Sequence, residues 1–155
     1  RIACEYREDR DFVLIARTDA LKTDGFEETV NRANTYVKEG ADMIMLFPNN
    51  LDEARRLPKV INAPLIYVNS EGGRVGRPIL TIERAKEFGY RMLEDAIGTV
   101  IVTYTAIKDM YERLRSTGVA GLDQSKAVPA RKEIEEMIGL STYYRIEEIT
   151  TEKKR

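Results

Sequence analysis

The chain contains 155 residues, enough for one domain with a sizeable core and too few for two domains of ordinary size. Its 25 Lys and Arg residues nearly balance 26 Asp and Glu residues, and the net charge of -1 argues against a protein that binds nucleic acid through the phosphate backbone. No histidine is present, which excludes a histidine general base and a histidine metal ligand for these residues.

Short apolar runs alternate with longer amphipathic segments, a pattern typical of strands followed by helices. Residues 100–102 are β-branched and also fit a strand, but apolar side chains recur there at spacings of three and four, which favours a helix. In chain order, the predicted elements are strand 11–16, helix 26–39, strand 41–47, a short helix between residues 50 and 58, strand 63–68, a helix between residues 81 and 89, strand 90–94, helix 98–116, helix 129–138 and a last helix from residue 141 to 155.

The ends of the predicted helices carry residues that commonly cap or stop helices. Asp24 with Glu27, and Asn50 with Glu53, have the spacing of a capping box. Pro129 suits the first position of its helix, because that position needs no N–H donor. The predicted N-caps are Asp24, Asn50, Thr81 and Ser141, and the predicted ends are Gly40, Pro58, Gly89, Gly118 and Gly139.

Four strand-then-helix units, roughly 20 to 30 residues apart, predict a parallel sheet with helices outside it. Both a doubly wound sheet and part of a (β/α)8 barrel fit this order. A complete barrel needs about 250 residues, so four units correspond to half of one. Half a barrel leaves the sheet edges open and one apolar face bare, and we therefore expect it to require further polypeptide.

Signals for membrane insertion or secretion are lacking in the sequence. The longest stretch low in charge, residues 96–107, is shorter than the roughly 20 residues that span a bilayer. The N-terminus has no apolar signal segment, and the single cysteine, Cys4, cannot form a disulfide within the chain. These observations predict a cytoplasmic protein with neither membrane nor nucleic-acid partners, and a packed thiol at Cys4.

Polar side chains follow each predicted strand. In both candidate architectures ligands bind outside the carboxyl ends of parallel strands, so these side chains are the candidates for a binding site. An arginine beside amide donors suits a carboxylate or a phosphonate, because the guanidinium fork binds two oxygens at once. The strand ends carry Arg17, Thr18 and Asp19, then Pro48, Asn49 and Asn50, then Asn69, Ser70 and Glu71, and finally Glu94 and Asp95.

The same residues also have structural interpretations. Arg17 fits an internal ion pair with Asp19 or Asp42. Asn49 fits a helix cap or a solvated loop. Glu71 stands beside two glycines and also fits a turn.

Short motifs occur in a fixed order across nearly the whole chain. The string I-A-R-T-D-A at residues 15–20 is the most specific of them. The others are E-G-A-D-M at 39–43, L-F-P at 46–48, E-G-G at 71–73 followed by Pro78, F-G-Y at 88–90 and E-I-E-E-M-I-G at 133–139, followed by the tyrosine pair 143–144. In this order they resemble the isocitrate lyase/phosphoenolpyruvate mutase superfamily, near 2-methylisocitrate lyase.

The resemblance implies an α/β fold, a (β/α)8 TIM-type barrel of which this chain supplies the C-terminal half, strands 5 to 8, plus C-terminal helices. Residues 1–118 then form the second half of the barrel, and the N-terminal half is an expected partner. Residues 119–155 form a C-terminal helical arm, which in this superfamily reaches to a neighbouring subunit. The resemblance therefore implies a homo-oligomer, a dimer or a tetramer, whose interface includes residues 138–149. The alternative is that these helices fold back and cap their own barrel.

The activity implied by the resemblance is that of a Mg2+-dependent carbon–carbon lyase. Such an enzyme acts on a small oxo- or hydroxy-carboxylate through an enolate. A phosphonate enzyme, such as a phosphoenolpyruvate or carboxyphosphonoenolpyruvate mutase, and a non-catalytic barrel that only binds a carboxylate or a partner are the alternatives. The Mg2+ ligands and the catalytic cysteine loop are expected in the first half of the barrel, so no metal ligand is predicted in this chain.

Site residues follow from the resemblance position by position. Arg17 matches the arginine that holds the substrate's carboxylate or phosphonate, and it is the one catalytic residue predicted here. Asn49 stands where methylisocitrate lyases have the glutamate of F-P-E, so the substrate itself is open. Asn69 and Ser70 lie where the superfamily uses Asn or Thr, although alignment on E-G-G places Val68 at the asparagine position. The predicted substrate-binding residues are Arg17, Asn49, Asn69, Ser70 and Glu71.

Overall fold

The computed structural model describes residues 1–73 and 76–151. The chain forms two compact units, residues 1–102 and 103–155, whose boundary falls within the sixth helix. In chain order, the elements are α1 (Ile2–Glu5), β1 (Ile15–Arg17), α2 (Ala20–Thr23), α3 (Gly25–Lys38), β2 (Met43–Leu46), α4 (Leu51–Val60), β3 (Leu65–Asn69), α5 (Ile82–Phe88), β4 (Met92–Asp95), α6 (Gly98–Thr117), α7 (Gln124–Met137) and α8 (Leu140–Thr150).

The four strands form one parallel sheet in the order β1-β2-β3-β4. The register places Arg17 of β1 beside Met45 of β2, and Asn69 of β3 beside Asp95 of β4. At least one helix follows each strand, which confirms the predicted α/β order. Because all four strands run the same way, their carboxyl ends share one edge of the sheet.

The buried core joins the sheet to helices α3, α4 and α5. Tyr67 of β3 is fully buried, and its ring meets that of Tyr90 edge to face, with 5.0 Å between the centroids. Burial raises the pKa of the Tyr90 hydroxyl above its usual range. The other buried members of this core are Leu21, Ala33, Ile44, Leu46, Ala54, Leu57, Ile61, Leu65, Leu80, Ala85 and Phe88.

Strand side chains that alternate with this core lie on the opposite face of the sheet, since successive residues point to opposite sides. On β3, Ile66 is 0% and Val68 3% exposed. On the two outer strands, Ile15 of β1 is 45% and Met92 of β4 47% exposed. The apolar face is therefore buried at the inner strand β3 and open to solvent at both outer strands.

The first strand is shorter than the predicted strand 11–16, because β1 begins only at Ile15. The N–H of Phe12 bonds to the carbonyl three residues earlier at 3.2 Å, so the chain turns just before the sheet. The Asp42 carboxylate accepts the N–H of Leu14 at 2.8 Å, and this bond holds the pKa of Asp42 below its usual range. Residues 11–14 are thus bound by side chains and a turn, and at Leu14 also by β2, because the Leu14 carbonyl accepts the N–H of Met43 at 3.3 Å.

The helix starts show which predicted caps have the necessary backbone. Asn50 and Thr81 are extended, and their side-chain oxygens accept the N–H of the residue three positions on, at 2.9 and 3.2 Å. Asp24 precedes α3 with φ -122° and ψ -5°, and its side chain caps nothing, so the capping box with Glu27 is wrong. Left-handed backbone confirms the predicted helix ends at Gly40, Gly89, Gly118 and Gly139.

Both predicted starts of the C-terminal helices are wrong. Asp123 caps α7 by accepting the N–H two residues on at 3.0 Å, so Pro129 lies inside the helix rather than at its first position. The last helix begins directly after Gly139, whose φ of 68° makes it a cap without a side chain, and Ser141 is already helical. The predicted end of that helix at residues 152–155 lies outside the described residues.

Pro58 does not end its helix as predicted, because α4 continues to Val60. A proline inside a helix lacks the N–H for the carbonyl four residues earlier, which here is that of Ala54. The buried hydroxyl of Tyr90 donates to this carbonyl at 2.9 Å. Gly89 leads into Tyr90 with φ +104°, and a Cβ there would lie 3.2 Å from the Cβ of Pro58. The neighbouring loop thus supplies the donor that the proline removes.

We expect Tyr90→Phe to lower the free energy of unfolding by about 1–2 kcal/mol, because the Ala54 carbonyl loses its buried donor. In a Pro58→Ala background the loss should be smaller, since residue 58 then offers an N–H to the same carbonyl. Urea unfolding of the complete protein and the three variants gives the coupling energy of this double-mutant cycle. Equal losses in both backgrounds would contradict the described role of Tyr90.

Candidate functional site

The guanidinium of Arg17 stands at the carboxyl end of β1, on the edge at which parallel α/β sheets commonly bind ligands. Its Cζ lies 4.4 Å from the centroid of the Phe47 ring, which follows β2. Its Nε and Nη2 donate to the carboxylate of Asp19 at 3.1 to 3.2 Å. The ion pair that the sequence allowed is therefore present with Asp19, whereas Asp42 pairs with Arg7.

The Arg17–Asp19 pair leaves one side of the guanidinium available. A guanidinium has five N–H donors, and Asp19 engages only the side formed by Nε and Nη2. Both side chains are more than half exposed, so solvent screens this pair and its contribution to stability is small. The carboxylate orients the fork, and Asp19 does not engage the Nη1 side.

A second guanidinium, that of Arg77, lies at the carboxyl edge of the sheet, which we call the rim. The sequence analysis did not predict it. Its Cζ lies 4.9 Å from the centroid of the same Phe47 ring. It belongs to the loop after β3, between the strand and α5, where loops of parallel sheets carry ligand-binding residues. Its position between Gly76 and Pro78 in that loop is the one signal that could have drawn attention to it.

The side chain of Asn49 is engaged by its own surroundings. Its Nδ2 donates to the carboxylate of Glu53 at 3.2 Å and to the carbonyl of Leu21 at 3.4 Å. The same carboxylate accepts the backbone N–H of Asn49 at 2.7 Å. The predicted capping box would instead have Glu53 accept the N–H of Asn50, one residue later. Asn49 is half-buried next to Pro48, which is fully buried.

Asn69 fixes the loop that follows its own strand. Its Nδ2 donates to the carbonyl of Leu80 at 2.8 Å, and its Oδ1 accepts the N–H of Leu80 at 3.0 Å. Nearby, the hydroxyl of Tyr67 donates to the carbonyl of Pro78 at 2.6 Å. Burial raises the pKa of Tyr67 to about 12, against a small opposing effect of the Arg77 charge. Both bonded atoms of the predicted ligand Asn69 are therefore already engaged within the chain.

Ser70 and Glu71 form a tight turn directly after β3. The carbonyl of Ser70 accepts the N–H of Gly73 at 2.9 Å, and a Cβ on Gly73 would approach that carbonyl oxygen to 2.8 Å. The side chain of Glu71 is exposed, and that of Ser70 is half-buried at the rim. The turn predicted as a structural alternative is present, and it leaves the Ser70 hydroxyl at the strand end.

The described carboxylates of the rim do not make a metal centre. Residues 1–73 and 76–151 contain no group of three or more His, Cys, Asp or Glu placed to hold a metal ion. Asp95 accepts the N–H of Gly98 at 2.9 Å and thereby serves the start of α6. In the same part of the chain, none of the helices has the length and apolar character needed to cross a bilayer.

A parallel α/β sheet with a helix after each strand defines a class of proteins whose ligand sites lie at the carboxyl ends of the strands. Within this class, the chain belongs to the phosphoenolpyruvate phosphomutase family, which it matches over residues 2–115. This confirms the superfamily that the sequence motifs indicated.

Three comparisons describe the family relationship. The chain is 31% identical to the 2-methylisocitrate lyase of Aeropyrum pernix over 86% of its own length and 43% of the relative's. It is 34% identical to a structure of oxaloacetate acetylhydrolase in complex with the product oxalate, with a TM-score of 0.76, covering 89% of this chain and 47% of that one. It is 28% identical to a structure of phosphonopyruvate hydrolase with oxalate and Mg2+, with a TM-score of 0.72, covering 94% and 51%. The chain thus spans about half the length of these relatives.

We expect Asn69→Asp to lower the free energy of unfolding by about 1–3 kcal/mol at pH 7, because a carboxylate then faces the Leu80 carbonyl instead of a donor. Protonation lets the introduced carboxyl group donate again, so stability should recover as the pH falls towards 5. Asn34→Asp is a matched control, since the half-buried Asn34 makes the same two bonds in a more solvent-exposed setting, to the Val60 carbonyl and the Asn62 N–H.

Thermal unfolding between pH 5 and 7 measures both asparagine variants of the complete protein. The more solvent-exposed control should lose less stability, because water replaces its lost partners. Equal losses at both positions, independent of pH, would contradict the role of Asn69 as a half-buried clamp on the loop.

Proposed function

We propose that this chain forms the second half of the barrel of a carbon–carbon lyase that acts on a small oxo- or hydroxy-carboxylate through an enolate. The observation that carries the proposal is the oriented guanidinium of Arg17 at the carboxyl end of β1, in a chain of this family. The open outer strands β1 and β4 support a barrel completed by further polypeptide. The lyase and hydrolase relatives support chemistry at a carbon next to a carboxylate.

In this proposal Arg17 holds the substrate's anionic group with its Nη1 side, while Asp19 keeps the fork in one orientation. A guanidinium remains protonated throughout, so it also stabilises negative charge that develops on the adjacent enolate oxygen. Ser70 offers a hydroxyl at the neighbouring strand end, and Glu71 a carboxylate. Asn49 and Asn69 are proposed to support this rim, since their amides are engaged by Glu53 and Leu80.

A phosphonate substrate is the second candidate. The phosphonopyruvate hydrolase relative supports it, as does the residue after F-P, which is Asn49 where methylisocitrate lyases have a glutamate. An amide repels a dianionic phosphonate less than a carboxylate does. A barrel that binds a carboxylate without catalysis is the remaining alternative, and it predicts binding without turnover.

A divalent metal is implied by the relative whose structure contains Mg2+ and oxalate. The described residues of this chain do not fit such an ion, because no three carboxylates or thiols converge among them. We therefore propose that Mg2+ ligands come from polypeptide outside this chain, and no catalytic step here is assigned to the metal. A cytoplasmic location, suggested by the single cysteine, remains part of the proposal.

Arg17→Lys tests the proposed substrate contact, because it keeps the charge and removes the bidentate fork. We expect kcat/KM of the complete enzyme to fall about 100-fold or more, corresponding to about 2–3 kcal/mol of a charged hydrogen bond. Arg56→Lys is a matched control: Arg56 also stacks on a phenylalanine, Phe26, and pairs with an aspartate, but lies on α4. Near-normal kinetics of Arg17→Lys, or an equal loss in the control, would refute the proposal.

We also propose that residues 119–155 form an arm at the interface of a homo-oligomer, a dimer or a tetramer. Along α6, α7 and α8 none of the described residues is buried. Such an exposed apolar surface is larger than a solvated tail normally carries. In the arm its large apolar members are Val119, Leu122, Val128, Ile134, Met137, Ile138, Tyr143, Tyr144, Ile146 and Ile149.

Removal of residues 139–155 from the complete protein should reduce the oligomer to a smaller species, measured by size-exclusion chromatography with light scattering. Ile149→Glu should weaken the same interface, because it places a charge where an apolar contact is proposed. Thr150→Glu, which adds the same charge at the next position, is the control. An unchanged mass of the oligomer after the deletion would mean that the arm packs on its own subunit, and would contradict its proposed place at the interface.

A further inference from the structure

Two guanidinium groups flank one aromatic ring at the rim. Arg77 Cζ is 4.9 Å and Arg17 Cζ is 4.4 Å from the centroid of Phe47. The two cations are therefore closer together than the Debye length of about 10 Å at 0.1 M salt, and they repel each other. Asp19 neutralises Arg17, whereas no carboxylate within residues 1–73 and 76–151 forms an ion pair with Arg77. Among the described residues, the charge of Arg77 is therefore not compensated by an ion pair.

Arg77 differs from the other arginines that stack on phenylalanine rings. Arg55, Arg56 and Arg84 are exposed on helices, where water satisfies their donors. Arg77 is half-buried, and its Nε is shielded from solvent with no hydrogen-bond partner in the described chain. A buried charged donor without an acceptor is costly, and an anion is the group that relieves this cost best.

The backbone after Arg77 is held in place by side chains of β3. Tyr67 binds the carbonyl of Pro78, and Asn69 binds both backbone groups of Leu80. These bonds secure the loop at the same carboxyl edge of the sheet at which Arg17 of β1 lies. Arg77 is thus a fixed part of the rim rather than a surface arginine with a free choice of partner.

We propose that Arg77 binds a second anionic group of the substrate, next to the group held by Arg17. This inference rests on the proposed function, and it names Arg77 as the residue that determines the preference for substrates with two anionic groups. A monocarboxylate satisfies Arg17 alone and leaves the Nε of Arg77 unpaired. A dianion supplies acceptor oxygens to the free side of Arg17 and to Arg77 at the same time.

Isothermal titration calorimetry of the complete protein in Mg2+-containing buffer, with malate and with lactate, tests this inference. Both acids carry a 2-hydroxycarboxylate, and malate has one further carboxylate. We expect the unaltered protein to bind malate at least tenfold more tightly, about 1.4 kcal/mol. Arg77→Met should abolish this preference, and Arg77→Lys, which keeps the charge without the fork, should retain part of it. Arg84→Met, which removes an exposed stacked arginine, should retain all of it.

A preference for malate that survives in Arg77→Met, or that is absent from the unaltered protein, overturns the inference. An equal loss of affinity for both acids also overturns it, because Arg77 then serves the group that they share. Arg17→Lys separates the two proposals, since it should weaken malate and lactate alike. If Arg17→Lys binds both acids normally while Arg77→Met loses the preference, the proposed role of Arg17 fails and the assignment of Arg77 stands.

Discussion

The parallel register of the four strands is the constraint on which both the core and the site depend. It sets Leu46 and Tyr67 side by side on the helix-covered face, and Arg17 beside Met45 on the other face. A shift of one residue would move every side chain to the opposite face, with Arg17 directed into the apolar core. The hydrophobic burial that fixes the register therefore also fixes the guanidinium at the carboxyl edge, next to Phe47.

Loops and irregular helix ends are held by side chains of neighbouring elements, because each buried backbone polar group needs a partner. The Ala54 carbonyl, which proline leaves without its helical donor, is bound by Tyr90. The end of α4 is bound by Asn34 of α3, and the loop after β3 by Asn69. The bonds of Asn69 hold the backbone that follows Arg77 in one position. A cation held in this way binds an anion with less loss of conformational entropy than a mobile one.

Local sequence signals predicted the elements well where the decisive interaction is local. The alternation of strands and helices and the caps Asn50 and Thr81 depend on residues within a few positions of each other. The end of a helix at Pro58 was wrong because a donor distant in sequence compensates for the proline. Of the candidate site residues, Arg17 could be predicted from its position after an apolar run. Arg77 could not be predicted, because its proximity to Phe47 depends on tertiary hydrogen bonds that no sequence periodicity reveals.

Closure of the sheet changes the electrostatics of the rim as well as its edges. The open sides of β1 and β4 leave backbone groups unpaired and expose Ile15 and Met92, and a barrel completed by further strands would cover both. The same closure would remove water from around Arg17 and Asp19, whose pair is now solvent-screened. In the lower dielectric each charge then interacts more strongly. Asp19 keeps one guanidinium neutralised, and the remaining positive charge of Arg77 becomes the stronger attraction for an anionic ligand.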